Sequence, residues 1–264
     1  MKKYFVIGNP IKHSLSPKLH NYWIKKNNIS AVYEKKELQK EEIENFILEI
    51  RKKKIDGANI TVPFKKAVIP FLDKLTPEAT TTQSVNTIFV DENKVVGHNT
   101  DIAGFEKSIL DTKYDIRKKE VFILGSGGVV PSIIYALKKM QVTKITLSNR
   151  TKSKAEGLKK MYPELDVVDW GYIPNFDIII NATSLGLNSG DTFEIDFSKI
   201  EKNKFFYDVI YNPKQTSFLK KAKEMGNITE NGKMMFIYQA QKSFEKWHKI
   251  LPKINSEILD LLDD

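Results

Sequence analysis

No cysteine occurs in the 264 residues. That excludes a disulfide framework, a Cys-ligated zinc or iron–sulfur site and a thiolate nucleophile. The four histidines, His13, His20, His98 and His248, show no metal-ligand spacing, so no metal is expected. Arginine is scarce as well. Arg51, Arg117 and Arg150 are the only three among 42 basic residues, the other 39 being lysine. Sequence-specific nucleic-acid readers rely on the arginine fork, so no nucleic-acid partner is expected. Long apolar runs are also missing. The longest uncharged stretch, 121–137, is interrupted by Ser-Gly-Gly and a proline, and reads as strand, turn and helix, not as a membrane span. Met1-Lys2-Lys3 leads directly into a strand-like run without a signal-peptide pattern, and a cytoplasmic location is expected.

What is present is ordinary for a globular protein: 41% hydrophobic and 28% charged residues, with a net charge of +9. The length suits one large or two modest domains. Lysines alternate with Asp and Glu along the chain, the pattern of a solvated surface. A positive field that attracts anionic ligands is the alternative.

Strand and helix patterns alternate, which predicts parallel sheets covered on both faces. Strands are expected at 4–8, 31–35 and 57–61, and helices at 17–28 and 41–53, the first with Ser16 as N-cap and Pro17 at its first position. Strands 86–90 and 94–98 form a hairpin about a loop at 91–93, longer than the commonest tight turn. A helix follows over 101–110. The pattern then restarts with strand 121–124, a glycine turn, helix 129–140, strand 144–148, helix 152–161 and buried strands at 177–180 and 205–208. Helices from about Met235 onward are too apolar to stand alone and must pack on another element.

Four segments carry candidate chemistry. In the first, a strand runs into Gly125-Ser126-Gly127-Gly128-Val129 at a helix start, where free N–H groups and the dipole suit a pyrophosphate. A plain structural turn is the alternative, and Val130 stands at the third fingerprint position, where it is expected to crowd the turn. The next strand ends in Asn149-Arg150-Thr151, with Lys152 and Lys154 after it and no acid. That tip favours the 2′-phosphate of NADP over the 2′-hydroxyl of NAD. The second candidate is Lys65, held behind Ile60-Thr61-Val62-Pro63-Phe64 as a possible acid/base, against the default of a surface lysine. Third comes Asp101, closing Gly97-His98-Asn99-Thr100, either as a helix N-cap or as the partner of a lysine. Last is the loop 8–17, where Ser14 and Ser16 flank one residue at a helix start, able either to cap the helix or to hold a carboxylate.

Together these segments resemble the shikimate dehydrogenase family across essentially the whole chain. The carrying motifs are Gly-Asn-Pro-Ile-x-His-Ser-x-Ser-Pro at 8–17, Gly-Ala-Asn-Ile-Thr-Val-Pro-Phe-Lys at 57–65, Val-Asn-Thr at 85–87, Asn-Thr-Asp at 99–101 and the glycine turn at 125–128. Asn-Arg-Thr at 149–151, Asn-Ala-Thr-Ser-x-Gly at 181–186, Asp-Val-Ile-Tyr-Asn-Pro at 208–213 and Gln239 complete them in order. The resemblance implies two α/β domains closed by C-terminal helices. These are a discontinuous substrate domain, 1–101 plus about 236–264, and a Rossmann-type NADP-binding domain, 102–235. It implies reversible NADPH-dependent reduction of 3-dehydroshikimate to shikimate, by a monomer or homodimer with a small-molecule substrate. Ser14 and Ser16 would hold the substrate carboxylate, and Asn59, Thr61, Asn86, Tyr211 and Gln239 would surround the ring hydroxyls. Lys65 and Asp101 would form the catalytic pair. Residues 125–129 would cradle the pyrophosphate, Asn149, Arg150, Thr151 and Lys154 would take the 2′-phosphate, and Val209 and Gly232 would line the nicotinamide. An NAD-using quinate/shikimate dehydrogenase and a non-catalytic NADP-sensing protein on the same fold are the alternatives.

Overall fold

The computed structural model describes residues 1–188, 190–191, 193 and 196–263. The chain divides into two compact units, Met1–Gly104 with Ile237–Asp264, and Phe105–Phe236.

The first unit holds strands β1 (Lys2–Gly8), β2 (Ala31–Glu37), β3 (Gly57–Ile60), β4 (Lys74–Leu75), β5 (Thr87–Asp91) and β6 (Lys94–His98). Its helices are α1 (Ser16–Lys26), α2 (Ile43–Arg51) and α3 (Pro77–Thr82), with α4 (Asp101–Asp111) leading out of the unit. The sheet order is β2-β1-β3-β5-β6-β4. It is mixed: β5 and β6 form the expected antiparallel hairpin, and β3 pairs antiparallel with β5, so the expectation of a parallel sheet fails at that pairing. The hairpin is also tighter than expected. Asp91 pairs with Lys94, leaving the two-residue loop Glu92-Asn93 with φ of 47° and 62°. Two left-handed residues match the twist of the flanking strands, and Asn tolerates that region well. Apolar residues of α2 at helical spacing (Ile43, Phe46, Ile47, Ile50) pack with Ile7, Ile60 and Ile88 to form the core on one face.

The second unit holds β7 (Glu120–Leu124), β8 (Lys144–Ser148), β9 (Asp166–Val168), β10 (Ile178–Asn181), β11 (Phe205–Asp208) and β12 (Ile228–Glu230), with helices α5 (Val130–Lys139), α6 (Lys152–Met161) and α7 (Ser217–Glu224). The order β12-β11-β10-β7-β8-β9 is all parallel. Numbered within the unit this is 6-5-4-1-2-3, the doubly wound dinucleotide-binding arrangement, with its switch point between β7 and β10.

The chain returns to the first unit along α8 (Lys233–His248), and α9 (Ser256–Leu261) follows. The apolar terminal helices do pack. Trp247 Nε1 donates to the Ile88 carbonyl at 2.9 Å, and Phe244 and Trp247 meet Trp23 and Tyr33 of the first unit.

His20 lies among these rings. It stacks on Tyr33 with centroids 4.2 Å apart, and among the described residues neither ring nitrogen has a hydrogen-bond partner. Burial, then the neighbouring His248, lowers its pKa from the usual 6.5 to about 3. The unfolded chain therefore takes up this proton near pH 6.5 while the folded chain does not, so stability is present above pH 6.5 and is lost as pH falls. Between pH 7.5 and pH 5 the loss from His20 alone is about 2 kcal/mol. Urea unfolding followed by tryptophan fluorescence at pH 7.5 and pH 5.0 should show it. His20→Phe should reduce the difference between the two, and an unchanged difference would remove His20 as its source.

Candidate active site

Beyond β3 the chain turns through Thr61-Val62-Pro63, with Val62–Pro63 in the cis form, and Lys65 follows the buried Phe64. The Lys65 side chain is only 12% exposed, which sets it apart from a surface lysine. Its Nζ lies 2.6 Å from Asp101 Oδ2, on a carboxylate 7% exposed. The other carboxylate oxygen, Oδ1, accepts from Asn86 Nδ2 at 2.8 Å. Asp101 does not cap α4. Asn99 does so, its Oδ1 accepting from the backbone N–H of Asp101 at 3.0 Å and of Ile102 at 3.4 Å. A side-chain acceptor just before a helix satisfies its first donors, and here it releases the Asp101 carboxylate for Lys65.

Asn86 is fixed in direction. Its Oδ1 accepts from the Thr100 N–H at 2.8 Å, which turns Nδ2 toward Asp101 and, at 3.3 Å, toward Gln239 Oε1 on α8. Asn59 is committed to the protein: its Oδ1 accepts from Tyr33 Oη at 2.7 Å, and its Nδ2 faces the Asn86 carbonyl, Thr87 Oγ1 and Ser243 Oγ. Thr61 is half-buried at the end of β3, its N–H donating to the Ile7 carbonyl.

Ser14 and Ser16 stand at the start of α1. Ser16 is the first helical residue and makes no capping bond with its side chain, contrary to the N-cap expectation; Ser14 Oγ accepts from the Ser16 N–H at 3.3 Å. Capping therefore does not account for the Ser16 hydroxyl. Tyr211 belongs to the second unit, where it stacks on Phe236 at 4.3 Å.

In the second unit, β7 ends at the glycine turn. Gly125 has φ +106°, and a Cβ there would lie 2.7 Å from the Ala182 carbonyl oxygen, so only glycine fits. Gly127 and Gly128 are exposed at the start of α5, and a Cβ on Gly127 would meet nothing nearer than 3.8 Å. Open backbone at a helix N-terminus suits a pyrophosphate. Val130, the first residue of α5, is fully buried.

The tip of β8 leaves Arg150 and Lys154 exposed and, among the described residues, without an ion pair, whereas Lys152 is taken by Asp169 at 2.7 Å. Asn149 Nδ2 donates to the Thr151 carbonyl at 2.8 Å. Past β11, Gly232 lies so close to Val209 that a Cβ would sit 2.2 Å from the Val209 carbonyl oxygen; Gly232 N–H donates to the Ile210 carbonyl at 3.1 Å. Beneath this contact lies Asp208, which sequence reasoning noted only as part of a motif. It accepts from Asn181 Nδ2, the Ile210 N–H and Thr216 Oγ1, and burial pushes its pKa up to about 6. The glycine turn, the tip of β8 and the Val209–Gly232 contact all follow the carboxyl ends of parallel strands, where open α/β sheets bind dinucleotides.

A doubly wound parallel sheet with such a turn, beside an α/β unit that buries a Lys–Asp pair, defines a two-domain dinucleotide-dependent dehydrogenase. The chain belongs to the shikimate dehydrogenase family. Residues 6–88 match the shikimate dehydrogenase substrate binding domain, and residues 107–211 match shikimate/quinate 5-dehydrogenase. A shikimate dehydrogenase (NADP(+)) of Pelagibacter ubique is 62% identical over 264 residues, covering all of both chains. The crystal structure of shikimate dehydrogenase from Aquifex aeolicus is similar with a TM-score of 0.91 at 35% identity, over 100% of this chain and 97% of that one. The Thermus thermophilus enzyme, solved with NADP(H) and shikimate, gives 0.90 at 27% identity, over 100% and 99%.

Proposed function

We infer that this chain catalyses the reversible NADPH-dependent reduction of 3-dehydroshikimate to shikimate, in the pathway to the aromatic amino acids. The observation that carries the mechanism is the buried contact between Lys65 Nζ and Asp101 Oδ2. NADPH supplies the hydride when bound. As the ketone gains it, negative charge grows on the carbonyl oxygen, and the Lys65 ammonium stabilises that charge and donates the proton. In the opposite direction Lys65 takes the proton from the hydroxyl. Asp101 orients Lys65 and is itself steadied by Asn86.

The remaining roles follow the same reading. Ser14 and Ser16 bind the carboxylate; Thr61, Asn86, Gln239 and Tyr211 address the ring hydroxyls. Asn59, whose amide is spent on protein groups, supports Asn86 from behind. Residues 125–129 take the pyrophosphate, and Val209 and Gly232 line the nicotinamide. We place the enzyme in the cytoplasm as a monomer or homodimer; no helix among the described residues is long and apolar enough to cross a membrane. Shikimate-dependent reduction of NADP⁺, compared with NAD⁺, is the direct test, and absence of turnover with shikimate would overturn the assignment.

Cofactor choice is testable separately. Arg150 and Lys154 are the unpaired cations of the tip, so Arg150→Ala should weaken NADP⁺ binding about 10- to 100-fold, the scale of a lost charge-assisted hydrogen bond, and leave NAD⁺ almost unchanged. Because these groups are exposed, the preference should decline with salt. Equal losses for both cofactors would show that this tip does not read the 2′-phosphate.

A further inference from the structure

The polar floor beneath the Lys65–Asp101 pair is closed by a residue outside every motif. Ser243 lies on α8 one turn beyond Gln239 and is fully buried. Its Oγ donates to the Gln239 carbonyl at 3.0 Å. A hydroxyl has one proton and two lone pairs, so with that proton on the Gln239 carbonyl this oxygen can accept from two of its other neighbours at a time. Those neighbours are Asn59 Nδ2 at 2.9 Å, Thr87 Oγ1 at 2.8 Å and Thr100 Oγ1 at 3.2 Å.

Each neighbour leads on to the site. Asn59 reaches the Asn86 carbonyl, the Thr100 N–H donates to Asn86 Oδ1, and the Thr87 and Thr100 hydroxyls, each with one proton to give either to Ser243 or to Asn86, lie 3.0 and 3.1 Å from that same Oδ1. Ser243 therefore joins the helix that carries Gln239 to the groups that aim Asn86. We propose that Ser243 is a positioning residue for shikimate, setting the Gln239 and Asn86 amides at the spacing the ring hydroxyls require. The proposal rests on the reading of those two amides as substrate ligands.

Helix stability does not explain a serine here. A hydroxyl bonded back to the carbonyl four residues earlier competes with the helix and slightly destabilises it, whereas alanine is the best helix former. Nor is Ser243 needed to satisfy Asn59. The Asn86 carbonyl at 3.0 Å and Thr87 Oγ1 at 3.1 Å can take both Nδ2 hydrogens. Ser243→Ala is thus expected to fold, with the bridge between α8 and the asparagines cut.

The test is steady-state kinetics and shikimate calorimetry on the full chain, in wild type, Ser243→Ala and Ser243→Cys, with thermal melts alongside. The alanine variant should raise KM and Kd for shikimate about 5- to 20-fold, roughly the loss of one buried hydrogen bond. Its kcat should fall less than about threefold, and its NADP⁺ affinity and melting temperature should stay close to wild type. Cysteine, a weak acceptor of similar size, should fall between the two. Unchanged shikimate affinity in the alanine variant would overturn the proposal. So would parallel losses of kcat, NADP⁺ affinity and melting temperature, which mark a merely structural role. If the alanine variant does not fold, the cysteine variant decides by the same criteria. Failure of wild type to bind or oxidise shikimate would instead overturn the functional reading on which the proposal rests.

Discussion

Lys65→Ala is expected to lower kcat by about 10²- to 10⁴-fold while shikimate affinity changes much less. The ammonium is the group that can meet negative charge as it grows on the carbonyl oxygen, and that charge is larger in the transition state than in either bound ketone or bound alcohol. An interaction that strengthens in the transition state acts on kcat. The geometry supports this use: Lys65 is largely shielded from water, behind the buried Phe64, and in contact with an oriented carboxylate. Removing the lysine leaves the Asp101 carboxylate with the Asn86 amide on Oδ1 and the lysine's place vacant on Oδ2, so some loss of stability is expected as well. Shikimate calorimetry and a thermal melt separate that effect from the chemistry. A variant that folds, binds shikimate and turns over at near-normal rate would take Lys65 out of the mechanism.

Asp101→Asn should be nearly as damaging. Asparagine is almost the same size, but it replaces an anion that holds the Lys65 ammonium at 2.6 Å with a neutral amide. Both neighbours of the carboxylate are donors, Lys65 Nζ and an Asn86 Nδ2 whose direction the Thr100 N–H fixes, so the new NH2 group must face one of them. Lysine and aspartate then act as one device, and the double variant should be scarcely worse than either single one, because residues that act as a unit are strongly non-additive. The measurement is kcat for the four proteins of the cycle. If the two single losses multiply in the double variant, the residues act independently and the pairing is not the basis of catalysis.

Both residues were legible in the sequence, although their contact was not. Lys65 and Asp101 are 36 positions apart, in segments whose local patterns say only that one follows a strand and the other opens a helix. Locally, Asp101 reads equally well as a helix cap. The structure shows Asn99 in that role, a reading its position two residues before Asp101 could have suggested. Lys152 and Lys154 look alike along the chain, and Asp169, 17 residues beyond Lys152, neutralises one and not the other. Ser243 carried no signal at all, since its partners Asn59, Thr87 and Thr100 lie more than 140 residues away.

The sequence by itself determined the alternation of strands and helices, the glycine turn, the motifs in their order and, through their resemblance, the family. These are written in periodicity and in residue types that the local backbone requires, and both act over a few neighbouring positions. Only the tertiary structure decided the antiparallel pairing of β3 with β5, the short elements β4, β9, β12, α3 and α7, and which polar group meets which. A strand of two or three residues is too brief for its periodicity to show. A hydrogen-bond partner is chosen by the distant segment that burial brings beside it, a choice made by the packing of the whole unit and absent from any local stretch of chain.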